Sequence, residues 1–387
     1  MSDNLLPQVA ALLRKGVKIS NPRSVFIADD VDVDRISEKG VVIHTGAKIM
    51  GKRTLILPGA QIGTQGPVTI DSCQIGPKVE LKSGYFINTV LLKKASMGSG
   101  AHVRDGTILE EEASGAHTVG LKQTILFPFV TLGSLINFCD CFIAGGTSRK
   151  DHSEVGSSFI HFNYTPNQDK ATPSLMGDVP RGVMLNQRPI FLGGQGGLVG
   201  PCRLTFGTVT AAGTIYRKDE LRPNRLLFER GGRGGSVPFK PGRFLQSDRI
   251  ITNNIIYIAN LMALRQWYHQ VRGLFISDDF PVSLLKGLKW NIALAIQERI
   301  KRLKDFFEKL PEKTSTNRWS AIESVLEAMQ DFEGGAGDRD AFLEKIRINI
   351  GEYGTDYLSV IKNLQPNEAE IGTAWLQSIV DRINRIA

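Results

Sequence analysis

Cysteine is scarce in this 387-residue chain, and no apolar run reaches the roughly 18 residues a membrane-spanning helix needs. The cysteines are Cys73, Cys139, Cys141 and Cys202; the only close pair is spaced C-x-C, with no C-x-x-C and no second pair. That spacing argues against a zinc site and for free, reduced thiols, so no metal is expected and the expected location is the cytoplasm. The first twenty residues place Leu5, Leu6, Val9, Leu12 and Leu13 before Arg14-Lys15, which reads as a short amphipathic helix without the apolar h-region and small-residue cleavage site of a signal peptide. Basic motifs interleaved with aromatics, as in the common nucleic-acid modules, are missing too. The net charge of +8 therefore points to the phosphates of a small ligand ahead of nucleic acid.

Repetition is present. Ile43 and Ile49 stand six apart, and the same spacing recurs in Ile56, Ile62 and Val68, in Ile75, Leu81 and Ile87, and in Met97, Val103 and Leu109. Gly63, Gly76 and Gly98 follow apolar anchors directly. A period of six is neither that of a strand nor that of a helix. It suits short strands joined by tight turns, one side chain per hexad pointing into a triangular prism and about 18 residues completing a coil. The expected fold is mainly β with α: a left-handed parallel β-helix of hexapeptide repeats over residues 25–220, after an N-terminal helix or arm at 1–24. The register falters at Glu110-Glu111-Glu112 and from Thr147 to Glu154, and the stretch 163–189, with Pro166, Pro173, Pro180 and Pro189, reads as an inserted loop or arm.

Residues 221–244 shift to Arg, Gly and Pro, including Arg230-Gly-Gly-Arg-Gly-Gly235, and read as a linker or irregular loop suited to an anion. From 245 to 387 the period becomes helical: Ile251, Ile255, Ile258 and Met262, then Ile296, Ile300, Leu303 and Phe307, then Ile379, Ile383 and Ile386. Four to six helices in a bundle are expected, with Trp267, Tyr268 and Trp290 in the core and Lys301, Arg302 and Lys304 on a solvated face.

Three segments carry the chemistry: Gly156-Ser-Ser-Phe-Ile-His-Phe-Asn-Tyr164 with Lys170 beyond it, Phe191-Leu-Gly-Gly-Gln-Gly-Gly-Leu-Val-Gly-Pro201, and Val209-Thr-Ala-Ala-Gly-Thr-Ile-Tyr-Arg-Lys218. Together they resemble the β-helix half of the bacterial bifunctional enzyme N-acetylglucosamine-1-phosphate uridyltransferase/glucosamine-1-phosphate acetyltransferase. The chain looks like a divergent, UDP-N-acetylglucosamine pyrophosphorylase-related member without the uridyltransferase domain, since no G-x-G-T-R-M nucleotide loop occurs in the sequence. The resemblance covers residues 40–220 as architecture and about 130–218 in its motifs. It implies that Asn163, Tyr164 and Lys170 hold a sugar phosphate. It also implies that an acyl-CoA runs along the coil edge by Gly194 and Ala212, with its phosphates near Arg217 and Lys218. The family's catalytic histidine falls on Asp140, leaving Asp140, His152, His161 or His117 to act as base. Arg149, Lys150, Arg181 and Arg188, in the irregular segments, are further phosphate candidates.

Two readings of function follow. One is a transferase-like protein that binds a sugar phosphate or nucleotide sugar and transfers an acyl group from acyl-CoA to an amino or hydroxyl group of the sugar, with no nucleotidyltransferase activity. The other is a catalytically silent nucleotide-sugar-binding, regulatory or scaffold protein whose helical domain mediates oligomerisation or partner binding. The resemblance implies a homo-oligomer either way, a homotrimer first; no membrane partner is expected.

Overall fold

The computed structural model describes residues 5–228, 238, 242, 244 and 246–385, with the side chains of 312–317 excepted. The Arg/Gly run 230–235 lies outside the described residues. A first helix, α1 (Pro7–Lys15), packs Val9 and Leu12 under the start of a parallel β-solenoid of about 11 turns. Its first strand, Lys18–Ile19, precedes the expected start at 25, and its last, Leu226–Leu227, falls inside the expected linker. Helices α3 (Ser247–Gln266), α4 (Val282–Phe307), α5 (Glu312–Ala328), α6 (Ala336–Tyr353), α7 (Tyr357–Lys362) and α8 (Pro366–Asn384) form the C-terminal region. None of these helices is long and apolar enough to cross a membrane.

Successive coils stack residue on residue, and the apolar anchors of the sequence become three interior columns. Ile43, Ile62, Leu81 and Met97 lie in direct register on the first face. Ile49, Ile70, Phe86 and Val103 do so on the second, and Ile56, Ile75, Leu91 and Leu109 on the third. All are fully buried. On the second face the interior residue is Phe86, where strict six-residue counting selects the half-buried Ile87. Each corner needs a residue at positive φ. Glycine fills some of these positions, as at Gly106 (φ 71°), but Ser72, Asn88, Gln123 and Asp140 occupy the same corner between the second and third faces. Asn and Asp tolerate this conformation because their short polar side chains bond locally.

The third face differs from the other two. Its outward positions, Leu55, Val90, Ile108, Ile125, Phe142 and Leu175, are buried almost as completely as its inward ones. The helices cover them, α4 lying on the strands Gln74–Ile75 and Val90–Leu91 and α3 on Ser174–Met176. A strand covered on both sides reads as consecutive apolar residues, which is why Val90-Leu91, Ile108-Leu109 and Phe142-Ile143 occur as pairs. Gly287 lets α4 approach the coil closely, since a Cβ there would lie 2.4 Å from Gln74 Cγ.

The expected arm at 163–189 is not a single excursion. Ser174–Met176 re-enters the third face, and α2 (Val179–Gly182) follows with Val179, Pro180 and Gly182 buried, packed against α3 and α8. Trp267 and Tyr268 are core residues as expected, but Trp290 is 51% exposed on the rim of α4.

Candidate functional site

The expected site residues separate into four places. The first is a buried junction between solenoid and helices. Asp140, at φ 61° in its corner, points its carboxylate at α4, where Arg299 Nη2 lies 2.8 Å from Oδ1. Asn163 donates from Nδ2 to the other oxygen at 3.1 Å. Both members of the ion pair are almost wholly buried, with side-chain exposures of 2% for Arg299 and 7% for Asp140. Arg299 keeps Nε and Nη1 without a hydrogen-bond acceptor among the described residues. A carboxylate paired in this way is a docking contact for α4.

His161 sits beside this junction but inside the prism, on the second-face column between Phe138 and Leu198. Its Nδ1 lies 2.6 Å from the Cys139 carbonyl oxygen and its Nε2 2.8 Å from Ser174 Oγ. A carbonyl only accepts, so the ring proton is on Nδ1 and Nε2 accepts from the Ser174 hydroxyl. Ser174 Oγ in turn accepts from the Cys202 amide at 3.1 Å. Loss of water around the ring pushes its pKa down to about 4.

Because the native ring stays neutral while the unfolded one binds a proton below about pH 6.5, stability is retained above that pH and lost as pH falls toward 4. Between pH 7 and 5 the parent should lose roughly 2 kcal/mol more unfolding free energy than His161→Leu, at about 1.4 kcal/mol per pH unit. Denaturant titrations at both pH values measure this, and equal losses in the two proteins would rule it out.

The second place is the surface corner between the first and second faces. Gly156 and Gly193 are required there, since a Cβ on Gly156 would meet Gly194 N at 2.4 Å and one on Gly193 would meet Ala212 N at 2.5 Å. Ala212 is exposed, as are Arg217 and Lys218 just beyond, with Arg217 Nη1 donating to the Ile215 carbonyl at 3.1 Å. The third place is the excursion 163–173, which holds exposed Tyr164 and Lys170 and is tied to the end of α4 through Lys309 Nζ, 2.8 Å from the Gln168 carbonyl oxygen. Arg181 lies apart from all of these, forking onto Asp178 with Nε at 2.7 Å and stacked on Phe206.

The fourth place is a cleft of about 440 Å³ between the rim of the solenoid and the helical region. Lys93, Lys94, Glu111 and Glu112 come from corners of the coils; Arg272, Asp278, Asp279, Phe280, Asp356 and Tyr357 come from the helical side. Arg272 is the floor. It lies 3.7 Å from the Tyr357 ring centre and 4.4 Å from that of Phe280, and it is ion-paired with Glu111 at 2.5 Å. Its Nε and Nη1 have no acceptor among the described residues, and Glu111 Oε2 has no donor. Beneath it Tyr268 donates to Glu110, whose pKa is pushed up to about 8 by burial and by Glu111 beside it.

The cleft continues past Glu112 and Leu358 into a depression holding Phe129, Arg149 and Lys362. Arg149 Nη1 is anchored on the Phe129 carbonyl at 2.8 Å and Thr131 Oγ1 at 2.9 Å. Arg149 comes from the hairpin Gly146–Ser148/Asp151–His152, in which His152 pairs with Gly146 and buries Nδ1. Of the expected site residues only Arg149 comes near the cleft, in the depression that continues it, and nothing in the sequence links its helical half to the repeats. No group of His, Cys, Asp and Glu among the described residues is arranged to hold a metal ion.

Fold and sites together define a hexapeptide-repeat solenoid protein with a helical region fastened to one face, and its solenoid has recognisable relatives. It is similar to bifunctional protein GlmU of Thermotoga petrophila, 26% identical over 213 residues that make up 55% of this chain and 42% of that protein. The GlmU proteins of Pelobacter propionicus (27% over 224 residues, 55% of this chain, 43% of the relative) and Syntrophomonas wolfei (27% over 223 residues, 57% and 43%) match in the same way. The matches fall on the N-terminal part of the chain, and the chain spans less than half the length of these relatives. No family model matches the chain.

Proposed function

We propose that this protein binds a sugar phosphate or nucleotide sugar in the cleft at the solenoid rim, as a transferase-like scaffold turned to ligand binding. The observation that carries this reading is the chemistry of the cleft. Carboxylates such as Glu111, Asp278 and Asp356 accept from sugar hydroxyls, and the Tyr357 and Phe280 rings offer surfaces for the C–H face of a sugar. Lys93, paired with Asp279, and Lys94, paired with Glu112, supply cations for a phosphate together with Arg149 and Lys362. The buried Asp140–Arg299 pair favours binding over turnover, because it occupies the place where the resemblance puts a base. A second reading keeps acyl transfer, with an acyl-CoA along the corner of half-buried Gly194 and exposed Ala212 and its phosphates on Arg217 and Lys218. Self-association is supported by an exposed apolar ladder in direct register on the first face, Phe191, Val209 and Leu226.

Thermal stabilisation by N-acetylglucosamine 1-phosphate, UDP-N-acetylglucosamine and acetyl-CoA tests these readings, since a ligand at a hundred times its Kd adds about 2.7 kcal/mol. The double variant Lys94→Ala/Arg149→Ala should weaken sugar-phosphate binding by about tenfold or more, the usual effect of losing charged hydrogen bonds. Asn163→Ala and Lys170→Ala should leave it unchanged. The reverse pattern would move the site to the 163–173 excursion, and stabilisation by acetyl-CoA would favour transfer.

A further inference from the structure

A second groove lies where the start of α4 meets the first coils, and it shares no lining residue with the cleft. Three cations face it, Arg35 and Arg53 from the solenoid and Lys286 from α4, and no carboxylate is among its lining residues. On this corner of the coils Asp71 accepts from Ser72 Oγ at 2.9 Å and Asp105 from Asn88 Nδ2 at 2.6 Å. Trp290 forms one wall. The Arg53 guanidinium stands 4.5 Å from its ring centre, held there by Asn88 Oδ1 at 2.6 Å, yet half of the indole remains exposed. Beside it Asn291 is 3% exposed, and its Oδ1 has no donor among the described residues. The walls are firm because the close approach at Gly287 seats α4 on Gln74 and because Arg35 is fixed to the Thr54 and Arg53 carbonyls at 3.2 and 3.1 Å.

We propose that this groove binds a nucleotide, with the base on the indole of Trp290 and the phosphates on Arg53, Lys286 and Arg35. Each part of the groove asks for a different part of that ligand. Clustered guanidinium and ammonium groups without a carboxylate select a phosphate. A half-exposed indole offers a stacking surface to any base. The orphaned acceptor of Asn291 calls for an N–H or O–H donor, which a base amino group or a ribose hydroxyl provides. The groove holds about 200 Å³, room for a base or a ribose phosphate, and opens at Arg35 and Ser283 into a wider depression of about 450 Å³. The lining of that depression includes Asp34, Glu38 and Asp278 beside Lys15 and Lys39, suited to sugar hydroxyls, so the phosphates stay in the groove. The proposal stands apart from the sugar-phosphate reading, since it uses neither the cleft nor the motifs at 156–218.

Fluorescence of the full chain reads it directly, because Trp267, Trp319 and Trp375 are buried and Trp290 alone of the four tryptophans is solvent-exposed. UDP and ADP are titrated against inorganic pyrophosphate and ribose 5-phosphate, with calorimetry on the variants. Saturable quenching by both nucleotides is expected, with pyrophosphate at least tenfold weaker. Trp290→Ala should weaken nucleotide binding about five- to a hundredfold, the range for loss of one base stack. Arg53→Ala and Lys286→Ala should weaken it and flatten its salt dependence, while Lys94→Ala/Arg149→Ala should leave the nucleotide quenching of Trp290 intact. No saturable binding by the parent, pyrophosphate binding as tight as UDP, or unchanged affinity in a folded Trp290→Ala protein would each overturn the proposal.

Discussion

Replacing Arg299 by alanine is expected to lower the unfolding free energy by about 3–5 kcal/mol, the range for stranding one member of a buried ion pair. Asp140 is nearly as buried as its partner, and Asn163 would be left as the only described group satisfying its carboxylate. The cost arises from the uncompensated charge more than from the attraction, so removing both charges should restore most of the loss. Asp140→Asn/Arg299→Met is the suitable double variant, because asparagine tolerates the positive φ of that corner. Denaturant unfolding of the single and double variants measures both terms. A loss below about 1 kcal/mol in Arg299→Ala would mean that α4 does not depend on this contact. The result also bears on function, because a carboxylate committed to holding a helix is not available to a substrate.

Arg272→Ala should be equally costly, about 3–5 kcal/mol, and for a related reason. Glu111 would be left buried beside Glu110, whose raised pKa already records how poorly this pocket tolerates negative charge. The guanidinium also lies between the rings of Tyr357 and Phe280, and a lysine cannot reproduce that planar stacking. Arg272→Lys is therefore expected to recover less than half of the loss, and both variants should weaken sugar-phosphate binding because Arg272 forms the floor of the cleft. Unfolding and binding measured on the same variants separate the two effects. Full rescue by lysine would show that charge alone matters and that the stacked geometry does not.

Much of the architecture was readable along the chain because a solenoid is built from local repetition. The spacing of Ile43, Ile49, Ile56 and Ile62 reports the prism directly, each anchor meeting its counterpart one coil on. The helical period after residue 245 reports the second region in the same way. The paired apolar residues Val90-Leu91 and Phe142-Ile143 also held a readable signal, a face covered from outside, though its cover could not be named from them. Asp140 was legible as a departure from the resembled enzyme but not as a corner residue, since its positive φ becomes apparent only in the column with Ser72, Asn88 and Gln123. Trp290 was misread as core because helical periodicity tells which residues share a face, not how far the neighbouring surface extends.

The sequence by itself determined the repeating prism, the helical region after it and the likeness of residues 156–218 to an acetyltransferase solenoid, all of which depend on residues close together in the chain. Tertiary structure alone decided what the charged residues do. Glu111 meets Arg272 across 161 positions and Glu110 meets Tyr268 across 158, distances over which no periodicity carries information. The cleft, the Trp290 groove and the filling of the Asp140 position all arise where the helices land on the third face, and that docking is set by the shape and charge of two surfaces assembled from distant segments.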